Sequence, residues 1–223
     1  MNEHILTTLA RIKQDRPPVH IKKDGSYRCV GLSNEVLDFL LKTIEPGANT
    51  LETGCGLSTL LFALADCNHI AIAPNSTHIE ETKKVAAQNQ ISLDKVTFVE
   101  KRSEHFLPMW STESQLDTIL IDGGHAFPLA ILDWFYTQQH LRQMGYLILD
   151  DIGLQSVHVL FEFLKEQPEW EVFRIIHKTA FFRKLTNLQI ENEWDYWHKQ
   201  SYNRSIKTKI RQVYYGVKHR LRF

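Results

Sequence analysis

At 223 residues with 43% hydrophobic content, the chain can bury one substantial core, and one domain with extensions is expected rather than two. No run approaches the ~18 consecutive apolar residues of a membrane span, and Met1-Asn-Glu-His does not read as a secretory leader, so a soluble, cytoplasmic chain is expected. The formal net charge of zero hides an asymmetry: residues 1–195 carry 18 bases against 26 acids, and eight bases with no acid follow. The three cysteines, Cys29, Cys55 and Cys67, are widely spaced, which fits reduced thiols and gives no zinc pattern.

In chain order, a helix over residues 3–14 leads through the Arg16-Pro17-Pro18 break to an irregular segment ending at Gly31. Within it residues 19–30, with Lys22-Lys23-Asp24-Gly25, read either as a lid or as a mere connection. Ser33 caps a helix through residue 44, since Val36, Leu37, Leu40 and Leu41 follow at helical spacing, and Pro46-Gly47 closes it. Strands are expected at 49–52, 69–73 and 96–100, with helices at 58–65 and 77–89 and a short turn capped by Ser103. The continuous apolar run 116–121 reads as a strand buried on both faces and ends in Asp122-Gly123-Gly124. A helix over 126–143, stopped near Gly145, a strand over 146–149 ending at Asp150-Asp151, a helix over 154–166 and a hairpin of 170–176 with 180–184 complete the pattern. Alternating strands and helices imply an α/β, Rossmann-like, seven-stranded and mostly parallel sheet with an antiparallel edge hairpin and helices on both faces. Residues 1–32 are expected to form an N-terminal helix and a segment that is either lid or connection, 33–190 the main domain, and 191–223 an aromatic junction and basic tail.

Residues 50–59, Thr-Leu-Glu-Thr-Gly-Cys-Gly-Leu-Ser-Thr, run a strand into a glycine turn and then a helix. Gly54 and Gly56 let the chain approach a ligand closely, and free N–H groups at the helix start face an anionic group. A dinucleotide site usually has a small residue where Glu52 stands and needs a glycine where Thr59 stands. A carboxylate there suits a cationic ligand end, such as the amino group of S-adenosylmethionine. Cys55 is read as a small turn residue.

In sheets of this kind ligands bind beyond the carboxyl ends of the strands, where Glu52, Asp122, Asp150 and Asp151 all fall. If the strands bearing Asp122, Asp150 and Asp151 are neighbours, the three carboxylates repel, and a hard divalent cation such as Mg²⁺ relieves that repulsion. The alternative is that they cap strand ends and adjacent helix N-termini. A metal there would bind an acceptor hydroxyl, lower its pKa and fix its oxygen in place. His125, three positions after Asp122, is the candidate base, or else bonds across its own turn. His105, His158 and His177 read as surface or packing residues. Phe127, Trp134 and Trp110 are candidates for the acceptor wall or for the core.

On these residues the chain, from about Ser33 to Leu185, resembles the class I S-adenosylmethionine-dependent methyltransferases, in particular small metal-dependent O-methyltransferases of the catechol, caffeoyl-CoA and macrolide-sugar type. The matching segments are Leu51-Glu52-Thr53-Gly54-Cys55-Gly56-Leu57-Ser58, Ile121-Asp122-Gly123-Gly124-His125 and Gly145-Tyr146-Leu147-Ile148-Leu149-Asp150-Asp151. The resemblance implies that Glu52, Gly54, Cys55, Gly56, Ser58 and Asp122 surround the methionine end of the cofactor. It places Ser103 and Glu104 beside the adenine, whereas the metal on Asp122, Asp150 and Asp151 and catalysis by Asp122 and His125 are read from the residues themselves, since the family has a lysine or another acid in the neighbourhood of His125. The family ends its second strand in an acid that takes the ribose hydroxyls. Here Ile70-Ala71-Ile72-Ala73-Pro74-Asn75 leaves only the amide of Asn75 for that role.

The expected activity is methyl transfer to a hydroxyl oxygen of a small molecule or sugar. The rivals are a catalytically silent member of the fold, which the missing ribose acid favours, and an NAD(P)-linked oxidoreductase, which Glu52 and Thr59 oppose. Residues 204–223 read as a basic amphipathic helix, with Ile206, Ile210, Val213, Val217 and Leu221 on one stripe. It would dock on the acidic body or on a second subunit, or rest peripherally on an anionic membrane. Nucleic acid is the least favoured partner. Trp194, Tyr196 and Trp197 mark the junction.

Overall fold

The computed structural model describes residues 3–17, 20–21, 27–28, 31–187 and 206–220. Helix α1 (Glu3–Asp15) precedes two-residue strands β1 (His20–Ile21) and β2 (Tyr27–Arg28), which pair antiparallel. The remaining elements are α2 (Asn34–Thr43), β3 (Asn49–Thr53), α3 (Leu57–Leu64), β4 (Asn68–Ile72), α4 (Ser76–Gln88), β5 (Val96–Val99) and α5 (Ser103–Phe106). They continue as β6 (Leu116–Ile121), α6 (Leu129–Thr137), β7 (Leu141–Leu149), α7 (Gln155–Lys165), β8 (Trp170–Ile176), β9 (Thr179–Lys184) and α8 (Ile206–Arg220). The lid candidate, Cys29 and the Trp194–Trp197 junction fall wholly or largely outside the described residues.

The main sheet has the order β5-β4-β3-β6-β7-β9-β8. Its first five strands are parallel, and β9 runs antiparallel between β7 and β8. The seven-stranded, mostly parallel sheet with an antiparallel edge hairpin is therefore present. Strand order reverses between β3 and β6, which opens a crevice at their carboxyl ends.

The period of two along each buried strand divides the core. Ile119, Ile121, Leu147, Leu149 and Phe182 face α6 and α7, while Leu120, Ile148 and Phe181 face α2 and α3. Helix α2 starts where expected, because Ser33 Oγ accepts from the Val36 N–H at 3.3 Å, and it buries Val36, Leu37, Leu40 and Leu41.

One boundary differs from expectation. The helix expected over 126–143 is confined to Leu129–Thr137, a 3₁₀ turn follows at Gln138–His140, and β7 begins at Leu141, with Gly145 inside the strand. The buried ammonium of Lys184 on β9 explains the early stop: its Nζ donates to the carbonyls of Gln138 and Leu141, both at 2.7 Å, satisfying groups that end the helix. Leu141 then pairs with Leu116 on β6. A side chain at Gly145 would meet Leu141 Cδ1 at 2.8 Å and the Asp117 carbonyl at 3.0 Å, so this glycine serves strand packing rather than a stop.

Candidate active site

The turn from β3 into α3 is built to lie against the next strand. Gly54 has φ of 109°, and a Cβ there would fall 2.6 Å from the Asp122 carbonyl oxygen, so both conformation and space require glycine. The Gly54 N–H donates to Ile72 O at 2.8 Å, and the Gly56 N–H to Thr59 Oγ1 at 2.9 Å. Thr59, which stands where a dinucleotide site has glycine, thus pins the start of α3.

Glu52 is fully buried, and both its oxygens are engaged. Ser58 Oγ donates to Oε2 at 2.5 Å, Thr59 Oγ1 donates to Oε1, and His69 Nε2 lies 3.2 Å from Oε1. His69, on β4, in turn pairs through Nδ1 with Thr50 Oγ1 at 2.8 Å and stacks on Phe62 at 4.4 Å between centroids. Glu52 lines the crevice wall, yet its carboxylate is turned toward this inner chain rather than left free for a ligand's cation. Sequence reasoning missed His69, because a histidine at a strand start carries no signal until β3 and β4 pair. Cys55 is buried in the same turn, and burial, reinforced by Glu52, pushes its thiol up to about 12, so it is no nucleophile.

Neighbouring strand ends bring the remaining acids together. The Asp122 N–H donates to Thr53 O, and the Asp150 N–H to Ile121 O, both at 3.1 Å. Asp122, Asp150 and Asp151 do converge, but their side chains divide. Asp150, almost wholly buried, accepts from Thr179 Oγ1 at 2.5 Å and from Lys178 Nζ at 3.1 Å. Asp151, held at φ of 56°, accepts from Lys178 Nζ at 2.5 Å and lies 3.2 Å from His125 Nε2. Asp122 Oδ1 is 3.9 Å from the same nitrogen. Among the described residues, the group whose ligand atoms come within 4.8 Å of one another is therefore Asp122, His125 and Asp151, with Asp150 outside it, a change from the expected trio. Desolvation, followed by the charges of Asp150, Glu52 and Asp151, holds the Asp122 carboxyl well above the usual range. Sequence reasoning also missed Lys178, since only the β8–β9 hairpin carries it to this point.

These residues line a cavity of about 510 Å³ together with Gly31, Glu52, Gly54, Gly56, Ser58 and Leu154. A second cavity, of about 420 Å³, adjoins it across Gly54, Cys55, Asp122 and Gly123, and is walled by Ala73, Pro74, Asn75, Ser103, Glu104 and Leu129. The expected adenine and ribose residues are thus gathered in one place. Asn75 Oδ1, however, caps α4 by accepting from the Thr77 N–H at 2.9 Å, so that acceptor is already in use.

Among the aromatics, Trp134 is buried in the core and Trp110 packs against it beside His140, whereas Phe127 is exposed next to His125. His158 Nδ1 bonds Ile152 O, and His177 pairs with Glu35 on the surface, as expected for packing and surface residues.

Residues 51–152 match the family model described as a methyltransferase domain. Over 144 residues the chain is 28% identical to the peramine synthetase ppzA of Metarhizium rileyi, a match covering 62% of this chain and 5% of that far longer protein. Among solved structures, cofactor-bound Rv0187 from MTB superimposes with a TM-score of 0.62 at 14% identity, over 83% of this chain and 92% of that one. The O-methyltransferase TomG from Streptomyces achromogenes, in complex with SAM, gives 0.60 at 13% identity over 83% and 91%.

Proposed function

We propose that this chain, which has the class I methyltransferase fold and a methyltransferase domain over residues 51–152, binds S-adenosylmethionine and methylates a hydroxyl oxygen of a small molecule or sugar. The observation that carries the reading is the pair of adjoining cavities at the carboxyl ends of β3, β4 and β6. The less polar one suits a nucleoside, with Ser103 and Glu104 at the base and the Asn75 amide at the ribose. The acidic one suits a cationic sulfonium and amino-acid end, with Gly54, Cys55 and Gly56 supplying close backbone and Ser58 a hydroxyl. Glu52 acts through Ser58 and Thr59, whose hydroxyls it holds.

In the transfer, the acceptor oxygen gives its proton to His125 or Asp122 and attacks the methyl carbon. The carbon–sulfur bond breaks with its electron pair going to sulfur, leaving a methyl ether and neutral S-adenosylhomocysteine. His125 is suited to the base role by its position against Asp151 and Asp122, which stabilise the imidazolium once it forms. Asp122, whose Oδ1 lies 3.9 Å from His125 Nε2, is the second candidate acceptor in the pocket, in its ionised form. Exposed Phe127 beside His125 offers an apolar surface to the acceptor.

A divalent cation held by Asp122, Asp150 and Asp151 would supply Lewis-acid activation of that hydroxyl. That set does not fit it well, because Asp150 is committed to Thr179 and Lys178; the donors that do converge are Asp122, His125 and Asp151, and there Lys178 already sets a positive charge against Asp151.

Titration calorimetry with S-adenosylhomocysteine tests the binding, with a 1:1 isotherm expected. An absence of heat at millimolar ligand would overturn the reading. One observation favours a silent ligand-binding member of the fold: the engaged Asn75 oxygen where the family has a ribose acid. Transfer of labelled methyl to hydroxylated acceptors separates the two.

A further inference from the structure

The hairpin that closes the sheet does more than cover its edge. Its turn places Lys178 and Thr179 against the loop after β7, and three links stitch the two together. The Ile152 N–H donates to the Lys178 carbonyl at 3.0 Å, Thr179 Oγ1 donates to Asp150 Oδ1 at 2.5 Å, and Lys178 Nζ bridges Asp150 Oδ2 at 3.1 Å and Asp151 Oδ1 at 2.5 Å. The ammonium lines the same cavity as Asp122 and His125. A cation in that position neutralises the charge that the converging carboxylates would otherwise carry, and it is tied by backbone as well as by side chain.

We propose that Lys178 is a built-in counter-cation: its ammonium takes the charge-balancing place between Asp150 and Asp151 that a divalent ion would need, so the pocket works without metal and refuses one while Lys178 is present. The inference rests on the reading of this crevice as the methyl-transfer site. It assigns Lys178 a positioning role, holding the Asp151 carboxylate 3.2 Å from His125 Nε2. Three consequences follow physically. An incoming divalent ion meets the repulsion of a fixed positive charge at contact range. It finds one carboxylate of the three turned away to Thr179. It must also break the Lys178–Asp151 bond before it can use that oxygen.

Mn²⁺ titration of the full chain, read as loss of the free-ion paramagnetic resonance signal, tests this without recourse to activity. The wild-type chain is expected to leave Mn²⁺ free up to millimolar concentration. Lys178→Met removes the charge and should bind Mn²⁺ at least about 10-fold more tightly, because a unit charge at contact distance is worth a factor of that order or more. Lys178→Arg keeps the charge and should still refuse the ion. If Lys178→Met fails to melt cooperatively, Lys178→Gln, which keeps a donor to Asp150 without the charge, takes its place. Micromolar Mn²⁺ binding by the wild type, lost in Asp122→Asn, would overturn the proposal. So would a folded neutral variant that binds Mn²⁺ no better than the wild type does. Calorimetry with S-adenosylhomocysteine on the same samples keeps the two readings apart. Retained heat with metal-binding wild type sinks only the role of Lys178, and absent heat sinks the methyltransferase reading.

Discussion

Asp133 shows what burial does to a carboxylate left without a partner. It sits on α6, fully buried, and neither oxygen makes a hydrogen bond of proper geometry. Desolvation raises its pKa to about 6, against the nearby Ser103 and Thr53 hydroxyls, which pull it down, and with Glu104 adding to the rise. The sign follows from linkage: the native state holds this proton up to about pH 6, whereas the unfolded chain releases it near 3.8. Stability from this group is therefore complete below the unfolded value, falls as pH rises through that window, and stays low above it. Asp133→Asn removes the titration, so above pH 7 the variant is expected to exceed the wild type by up to about 3 kcal/mol, with the gap closing near pH 4. Urea denaturation at the two pH values measures it, and a constant gap would refute the account. Glu52, Asp122, Asp150 and Asp151 were legible in the sequence because acids at strand ends must fall on one edge of a parallel sheet. Asp133, His69 and Lys178 were not, since an acid in a helix, a histidine in a strand and a lysine in a turn gain meaning only from what packs on them.

The strand–turn–helix unit from β3 to α3 is the element whose form the sequence specified most fully. An apolar strand, two glycines and a hydroxyl-bearing helix start left few other ways for the chain to turn, and Gly54 is the tightest point. Gly54→Ala places a methyl group within reach of the Asp122 carbonyl and puts alanine at φ of 109°, so either the turn or the end of β6 must move. A loss of at least about 2 kcal/mol is expected, the scale of backbone strain at a special conformation, together with loss of S-adenosylhomocysteine binding. Chemical denaturation and calorimetry on the variant check both, and wild-type behaviour in either would show that the turn has room to spare. The boundary between α6 and β7 was not legible. Apolar spacing continues past Thr137, and what ends the helix is an ammonium from β9, more than forty residues later. Local pattern cannot report a carbonyl acceptor claimed from so far away.

At the scale of the molecule, alternation of strands and helices set the sheet, and the sheet set the crevice; the order of strands and the pairing of β7 with β9 needed the fold itself. The charge asymmetry also has a structural counterpart. Helix α8 lies within the basic tail, and Ile206, Ile210, Val213 and Val217 on its apolar stripe are each at least half exposed, so the expected docking of that stripe on the acidic body is not what the described residues show. No helix among the described residues is long and apolar enough to cross a membrane. A helix that buries so little of its apolar face adds little to folding of the sheet, because stability follows the apolar area removed from water. Removal of residues 206–223 is therefore expected to shift the melting temperature by less than roughly 2 °C, the range of surface changes in a chain of this size, and to leave S-adenosylhomocysteine binding unchanged. Calorimetric melting of the truncated chain beside the full one measures this. A drop well beyond that range would mean that the tail packs on the body and that its stripe is covered in solution.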